Sequence, residues 1–215
     1  MSKISLKHSG GNDVSLSSPT SAPTSADVAF KLPNQDGTSG QAMVTDASGN
    51  LSFASVAGGK ILQVVSSVKT DVASASIDRN SDWVGHGLSV SITPTSSSNK
   101  ILIFGQVTVG SDINDGISLS IFKAGSAISG AIGDASSSRK RQTAGAEMDY
   151  NFAVTTIPFH YLDTAGGTSS ITYQPALNIS NSGSYTIYLN RTSTDTDNAS
   201  YVRTISVITA MEVAA

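Results

Sequence analysis

Lys100-Ile101-Leu102-Ile103-Phe104 and the closing run Ile205-Ser206-Val207-Ile208-Thr209-Ala210-Met211-Glu212-Val213 decide the fold class. The first carries four consecutive large apolar residues and reads as a strand buried on both sides. The second puts Ile205, Val207, Met211 and Val213 on one face, with Ile208 and Ala210 on the other. A two-layer sandwich has one core, so each of its strands needs only one apolar face. The surplus face predicts a partner, because a monomer rarely exposes a large apolar patch. A second copy of the chain is the simple occupant; cover by residues 1–60 of the same chain is the alternative.

Outward from these runs, candidate strands fall at 61–68, 88–93, 100–109, 117–123, 150–162 (bent near Pro158), 170–177, 185–190 and 201–213. Weaker candidates lie near Trp83 and at 127–132. Turn formers such as Ser96-Ser97-Ser98-Asn99 and Ala165-Gly166-Gly167 separate them. The 124–135 stretch is small and glycine-broken, a poor helix. About eight strands at this spacing predict an all-β, antiparallel sandwich or barrel. A jelly roll is preferred to an immunoglobulin-like sandwich, since the count fits and the Cys-Trp-Cys hallmark is missing.

Residues 1–60 differ. Short alternating pairs, Ile4/Leu6, Val14/Leu16, Val28/Phe30/Leu32 and Leu51/Phe53, are divided by turn clusters such as Gly10-Gly11-Asn12-Asp13 and Asp46-Ala47-Ser48-Gly49-Asn50. Period-two alternation predicts strands with one apolar face. The segment has too few apolar groups to offset its own ordering entropy. It is therefore expected to be mobile, to dock on another protein, or to wrap with copies of itself. Ala57-Gly58-Gly59 marks the boundary, giving an N-terminal segment 1–60 and a β-sandwich 61–215.

The composition excludes several classes. Of 215 residues, 38 are Ser and 20 are Thr, charged residues are 13% and apolar residues 39%. That is too apolar, and too weakly charged, for a disordered chain. No run approaches 18 apolar residues, so no membrane insertion is expected. The first residues lack a continuous apolar stretch, so no secretory signal is expected. The chain has no cysteine, which removes disulfides, thiolate metal sites and thiol nucleophiles. Net charge is −3, so no basic excess exists to hold nucleic acid. Sequons at Asn178, Asn190 and Asn198 read as by-products of a Ser/Thr/Asn-rich chain.

No motif calls for catalysis. His8, His86 and His160 lack ligand-spaced partners. His86, between Gly85 and Gly87, reads as an exposed turn, and His160 as a structural strand residue. The only glutamates are Glu147 and Glu212, and Glu212 looks structural. The acidic turns Asp112/Asp115 and Asp195/Asp197 have calcium-type donors, but solvated turns are far commoner. Neither a phosphate loop nor a Gly-x-Ser-x-Gly elbow is present. The sequence thus predicts no enzyme, no cofactor and no metal. Arg139, Lys140 and Arg141 form the one charge run, in the longest predicted loop, 133–148. A solvated loop is the preferred reading; the functional one is contact with an acidic surface, capsid or host polysaccharide. Trp83, Tyr185, Tyr188 and Tyr201 are candidates for stacking on sugars, with core or interface burial the commoner fate of Trp83.

The run Asp27-Val28-Ala29-Phe30-Lys31-Leu32-Pro33, followed by Asp36-Gly37-Thr38-Ser39-Gly40-Gln41-Ala42-Met43-Val44-Thr45-Asp46-Ala47-Ser48-Gly49-Asn50-Leu51-Ser52-Phe53, resembles a segment of bacteriophage tail-fibre and other virion structural proteins. Gly59–Val65, Lys100–Ile103 and Ile205–Val213 are more loosely similar to the jelly-roll modules of phage fibres, which look like tumour-necrosis-factor-type trimers. The resemblance implies a homotrimer with inner sheets facing a threefold axis. It also implies a non-enzymatic fibre or appendage protein of the virion, assembled in the host cytoplasm. Residues 1–60 would then be a stem or anchor held by other virion proteins, and 61–215 a head for host-surface binding. A capsid decoration protein capping a symmetry axis is the alternative. A stand-alone carbohydrate-binding β-sandwich is the second.

Overall fold

A computed structural model describes residues 3–7, 9–11, 13–17, 21, 30–48, 50–55, 60–84, 86–148 and 152–215. Contacts divide the chain into two compact units, Met1–Ala57 and Gly58–Ala215.

The first unit holds two hairpins. β1 (Lys3–Lys7) pairs antiparallel with β2 (Asp13–Ser17), and β3 (Gln41–Thr45) with β4 (Leu51–Ser55). The turn of the second is set by Asp46. Its carboxylate accepts the Ser48 and Asn50 N–H groups at 2.8 and 3.1 Å and the Asn50 amide at 2.5 Å. That is the local side-chain bonding by which aspartate makes turns. The stretch resembling virion proteins is therefore a hairpin, with Gly37 bare because a Cβ there would meet the Phe53 ring. The strand expected around Val28/Phe30/Leu32 is reduced to one bridge from Lys31 to Asn50, with Val28 outside the described residues.

The second unit is the antiparallel sandwich expected. One sheet contains β5 (Ile61–Lys69), β6 (Ala73–Ile77), β8 (Lys100–Ser111), β12 (Thr155–Thr164), β14 (Tyr185–Leu189) and β15 (Ser206–Val213). Its order is β5-β15-β8-β14-β6, with β12 also on β8. The other contains β7 (Val90–Ile92), β9 (Gly116–Lys123), β10 (Ser126–Ala127), β11 (Ala144–Glu147) and β13 (Ile171–Ile179). Its order is β10-β9-β13-β7, with β11 also on β9. Ile101, Ile103, Val107, Ile157, Ile187 and Ile208 meet Ile92, Leu119, Ile121, Tyr173, Leu177 and Ile179 in a closed core.

Four sequence readings need correction. Ile101 and Ile103 enter the core, whereas Leu102 is half-buried and Phe104 exposed on the outer face of the sheet. The strand expected at 150–162 is β12, which begins at Thr155. Its ladder runs without interruption through Pro158, paired with Gln106. β12 is an edge strand, where a proline's missing N–H is tolerated. The supposed loop 133–148 ends in β11, whose Ala-Gly-Ala-Glu sequence has none of the β-branched or aromatic residues that mark a strand. His86 is not an exposed turn; only 4% of it is accessible. Its ring tucks against the Trp83 ring edge-on, centroids 5.4 Å apart, and bonds the Pro175 carbonyl at 2.7 Å.

Candidate interaction surfaces

The two outer faces of the sandwich have opposite chemistry. On the β5-β15-β8-β12 sheet, register sets three cross-strand rows pointing away from the core. They are Val64–Met211–Leu102–Leu162, Ser66–Thr209–Phe104–His160 and Val68–Val207–Gln106–Pro158. Directly opposed residues share a face, because side chains alternate along each strand. Val64 is 55% accessible, Val68 54%, Leu162 53% and Phe104 38%. None of the twelve positions carries a fixed charge. A hollow of about 480 Å³ between Phe104, His160, Val207 and Thr209 dents the face. Gly105 forms its floor. A Cβ there would lie 2.1 Å from the Val207 carbonyl oxygen and 2.9 Å from the Phe159 ring.

The other outer face is polar and basic. Gly145, Ser118 and Asn178 form one row across β11, β9 and β13. They floor an open cleft of about 1210 Å³. The loop carrying Arg139, Lys140 and Arg141 and the turn at Arg79 and Asn80 form its walls. The three basic residues do different things. Lys140 is spent on structure: its ammonium pairs with Asp82 at 2.8 Å and bonds the Arg79 carbonyl at 3.1 Å, tying the two walls together. Arg141 Nε donates to the Gly133 carbonyl at 2.5 Å, which fixes the base of its own loop. Arg139 and Arg79 have no carboxylate within salt-bridge distance among the described residues. Asp134 is the one carboxylate lining the cleft. Arg79 was not singled out in the sequence. It sits 60 residues from the Arg-Lys-Arg run, and only strand pairing and the Lys140 tether bring them together.

The remaining candidates serve structure. Glu212 is fully buried, and its carboxylate gathers four donors: Thr95 N–H at 2.7 Å, Thr95 hydroxyl at 2.8 Å, Asn99 amide at 2.6 Å and Gln63 amide at 2.5 Å. Burial alone raises its pKa, but these bonds prevail and hold it down at about 2. Burial lowers the His86 pKa to about 4; the Pro175 bond opposes the shift and the nearby Lys69 charge adds to it. Its Nδ1 has no partner among the described residues, and the neutral ring carries its proton on Nε2, toward Pro175.

The acidic turns are engaged by protein donors. Asp115 accepts from the Ser180 hydroxyl, the Gly116 N–H and the Asn181 amide, which together lower its pKa. Asp112 accepts the Thr186 N–H, and Asp195 pairs with Arg203 at 2.6 Å. Among the described residues no three His, Asp or Glu side chains are placed to hold a metal. His8 and Gly85 lie outside the described residues.

Asn178 and Asn190, two of the three sequon asparagines, are buried with their amides hydrogen-bonded to backbone carbonyls. His160 is exposed on the apolar face beside Phe104. Trp83 packs half-buried against the core. Tyr188 lies under the Arg191 guanidinium, 4.1 Å away, and is not a free stacking platform.

No protein-family model matches the chain, and no curated protein matches it. Among solved structures, the chain is similar to the VP2 subviral particle of infectious bursal disease virus. Identity there is 10% and the TM-score 0.34, covering 80% of this chain and 46% of that one. A structure of the Gx strain of the same virus gives 13% identity and a TM-score of 0.33, covering 81% and 41%. The chain thus spans less than half the length of these two proteins.

Proposed function

We propose that this chain is a non-enzymatic structural protein of a virion, a homotrimeric fibre or appendage component. Residues 1–60 attach it to other virion proteins, and residues 61–215 form a projecting head. The observation that carries the assembly is the uncharged apolar face around Val64, Val68, Phe104 and Leu162. Water is expelled when that face meets copies of itself, at roughly 25 cal/mol for each Å² of apolar surface removed. Support for the virion setting comes from the Leu32-Pro33 to Phe53 stretch and its likeness to fibre and other virion proteins. Three heads on one base raise the effective concentration at a repetitive surface, so individually weak contacts add.

Sedimentation equilibrium of the full chain tests the assembly. The mass expected is three times 22.0 kDa. Val64→Lys combined with Leu162→Glu should return a folded single chain, since both side chains lie on the exposed face and outside the core. A wild-type protein that sediments as one 22.0 kDa species at micromolar concentration overturns the proposal. Immunogold labelling of particles tests the location. Label at the tail supports the appendage reading, whereas dense label over the shell favours a decoration protein.

A further inference from the structure

We infer that the cleft between the Arg139 loop and the Arg79 turn is a binding site for an acidic polysaccharide. The inference is independent of self-association, because the cleft lies on the opposite outer face of the sandwich.

Four observations converge on that ligand. First, Arg79 and Arg139 line the cleft, and among the described residues neither has a carboxylate within salt-bridge distance, Asp134 being the one carboxylate in the lining. A guanidinium is a planar fork that matches a carboxylate with two parallel bonds. Second, Lys140 clamps the Arg139 loop to the Arg79 turn through Asp82 and the Arg79 carbonyl. The charges are therefore set in place before any ligand arrives, which lowers the ordering cost of binding. Third, the lining is rich in serine hydroxyls, Ser118 on the floor with Ser136, Ser138 and Ser180 around it, beside the bare backbone of Gly145. Such a lining suits hydroxyl groups, and Gly145 lets a chain approach the sheet closely. Fourth, the volume of about 1210 Å³ exceeds the roughly 300–1,000 Å³ of small-molecule sites, so it has room for several sugar units of a polymer.

The lining also argues against other partners. It contains no aromatic side chain. Single-stranded nucleic acid needs stacking platforms, and neutral sugars are commonly held by them. Protein interfaces are anchored by buried aromatic side chains and arginines; the cleft has the arginines but no aromatic anchor, and Ala144 and Ile179 are its only apolar side chains. What remains is a hydroxyl-rich chain carrying carboxylates.

Full-length protein at low ionic strength is titrated with oligogalacturonate, neutral dextran, polyglutamate and polyphosphate. Oligogalacturonate should bind, dextran should not, and polyglutamate and polyphosphate should bind at least about tenfold more weakly because they lack the sugar hydroxyls. Arg79→Ala with Arg139→Ala should weaken oligogalacturonate binding about tenfold or more, while Lys60→Ala with Lys100→Ala, an equal loss of two charges outside the cleft, should not. Arg139→Ala alone, in an exposed loop, serves if the double variant melts early. Arg139→Lys should restore binding only in part, since it keeps the charge and loses the fork. Absence of oligogalacturonate binding overturns the inference. So does equal binding of polyglutamate or polyphosphate, or an affinity that is unchanged in both arginine variants.

Discussion

Single residues set the acid sensitivity of this fold. His86 is neutral and buried, with a pKa near 4 against about 6.5 in an unfolded chain. Between those values the unfolded chain takes up a proton that the folded chain refuses. Stability is therefore full above about pH 6.5, falls as pH drops toward 4 and is level below, by at most about 3 kcal/mol. Glu212, held near 2 against 4.5, adds stability that is full above about pH 4.5 and is lost as pH falls toward 2. The melting temperature should thus fall in two stages on acidification. His86→Gln should remove the upper stage and leave the lower one. A wild-type melting temperature that is flat between pH 7 and 4 contradicts this account.

At the scale of elements, β8 and β15 approach so closely that only glycine fits at 105. Phe159 of the neighbouring strand lies over the bare position and replaces the missing side chain. Gly105→Ala should cost about 3 kcal/mol or more in denaturant unfolding, because the obstructing atom is backbone and has no rotamer to escape to. Gly145→Ala, on the edge strand β11, meets its nearest atom at 3.3 Å and should change stability by less than about 1 kcal/mol. Equal costs at the two positions would refute the reading of β8–β15 contact. β11 also shows why some strands escape sequence reading. Ala144-Gly145-Ala146-Glu147 has no β propensity of its own and pairs only because β9 offers it an edge.

At the scale of the whole molecule, the sandwich presents one apolar and one basic outer face, and these predict opposite responses to salt. Self-association through the Val64–Leu162 face involves no fixed charge, so the sedimenting mass should be unchanged between about 0.1 and 1 M NaCl. Binding in the Arg79–Arg139 cleft should weaken steeply over the same range. An assembly that dissociates in high salt would show that charge, rather than apolar burial, holds it together.

The amino-acid sequence by itself determined the all-β class, most strand positions and the surplus apolar face. These follow from period-two alternation and from turn residues, which act within a few positions along the chain. It also marked Arg139, Lys140 and Arg141 as the sole charge run, and Glu212 as structural. Tertiary structure alone decided that Arg79 and Arg139 line one cleft, that Lys140 is a clamp, and that His86 is buried against Trp83 and Pro175. Each of those relations joins residues about 60 or more apart, or depends on which side of a turn a ring falls. No local pattern encodes such a choice, because it is made only when strands distant in the chain pair and the sheets close.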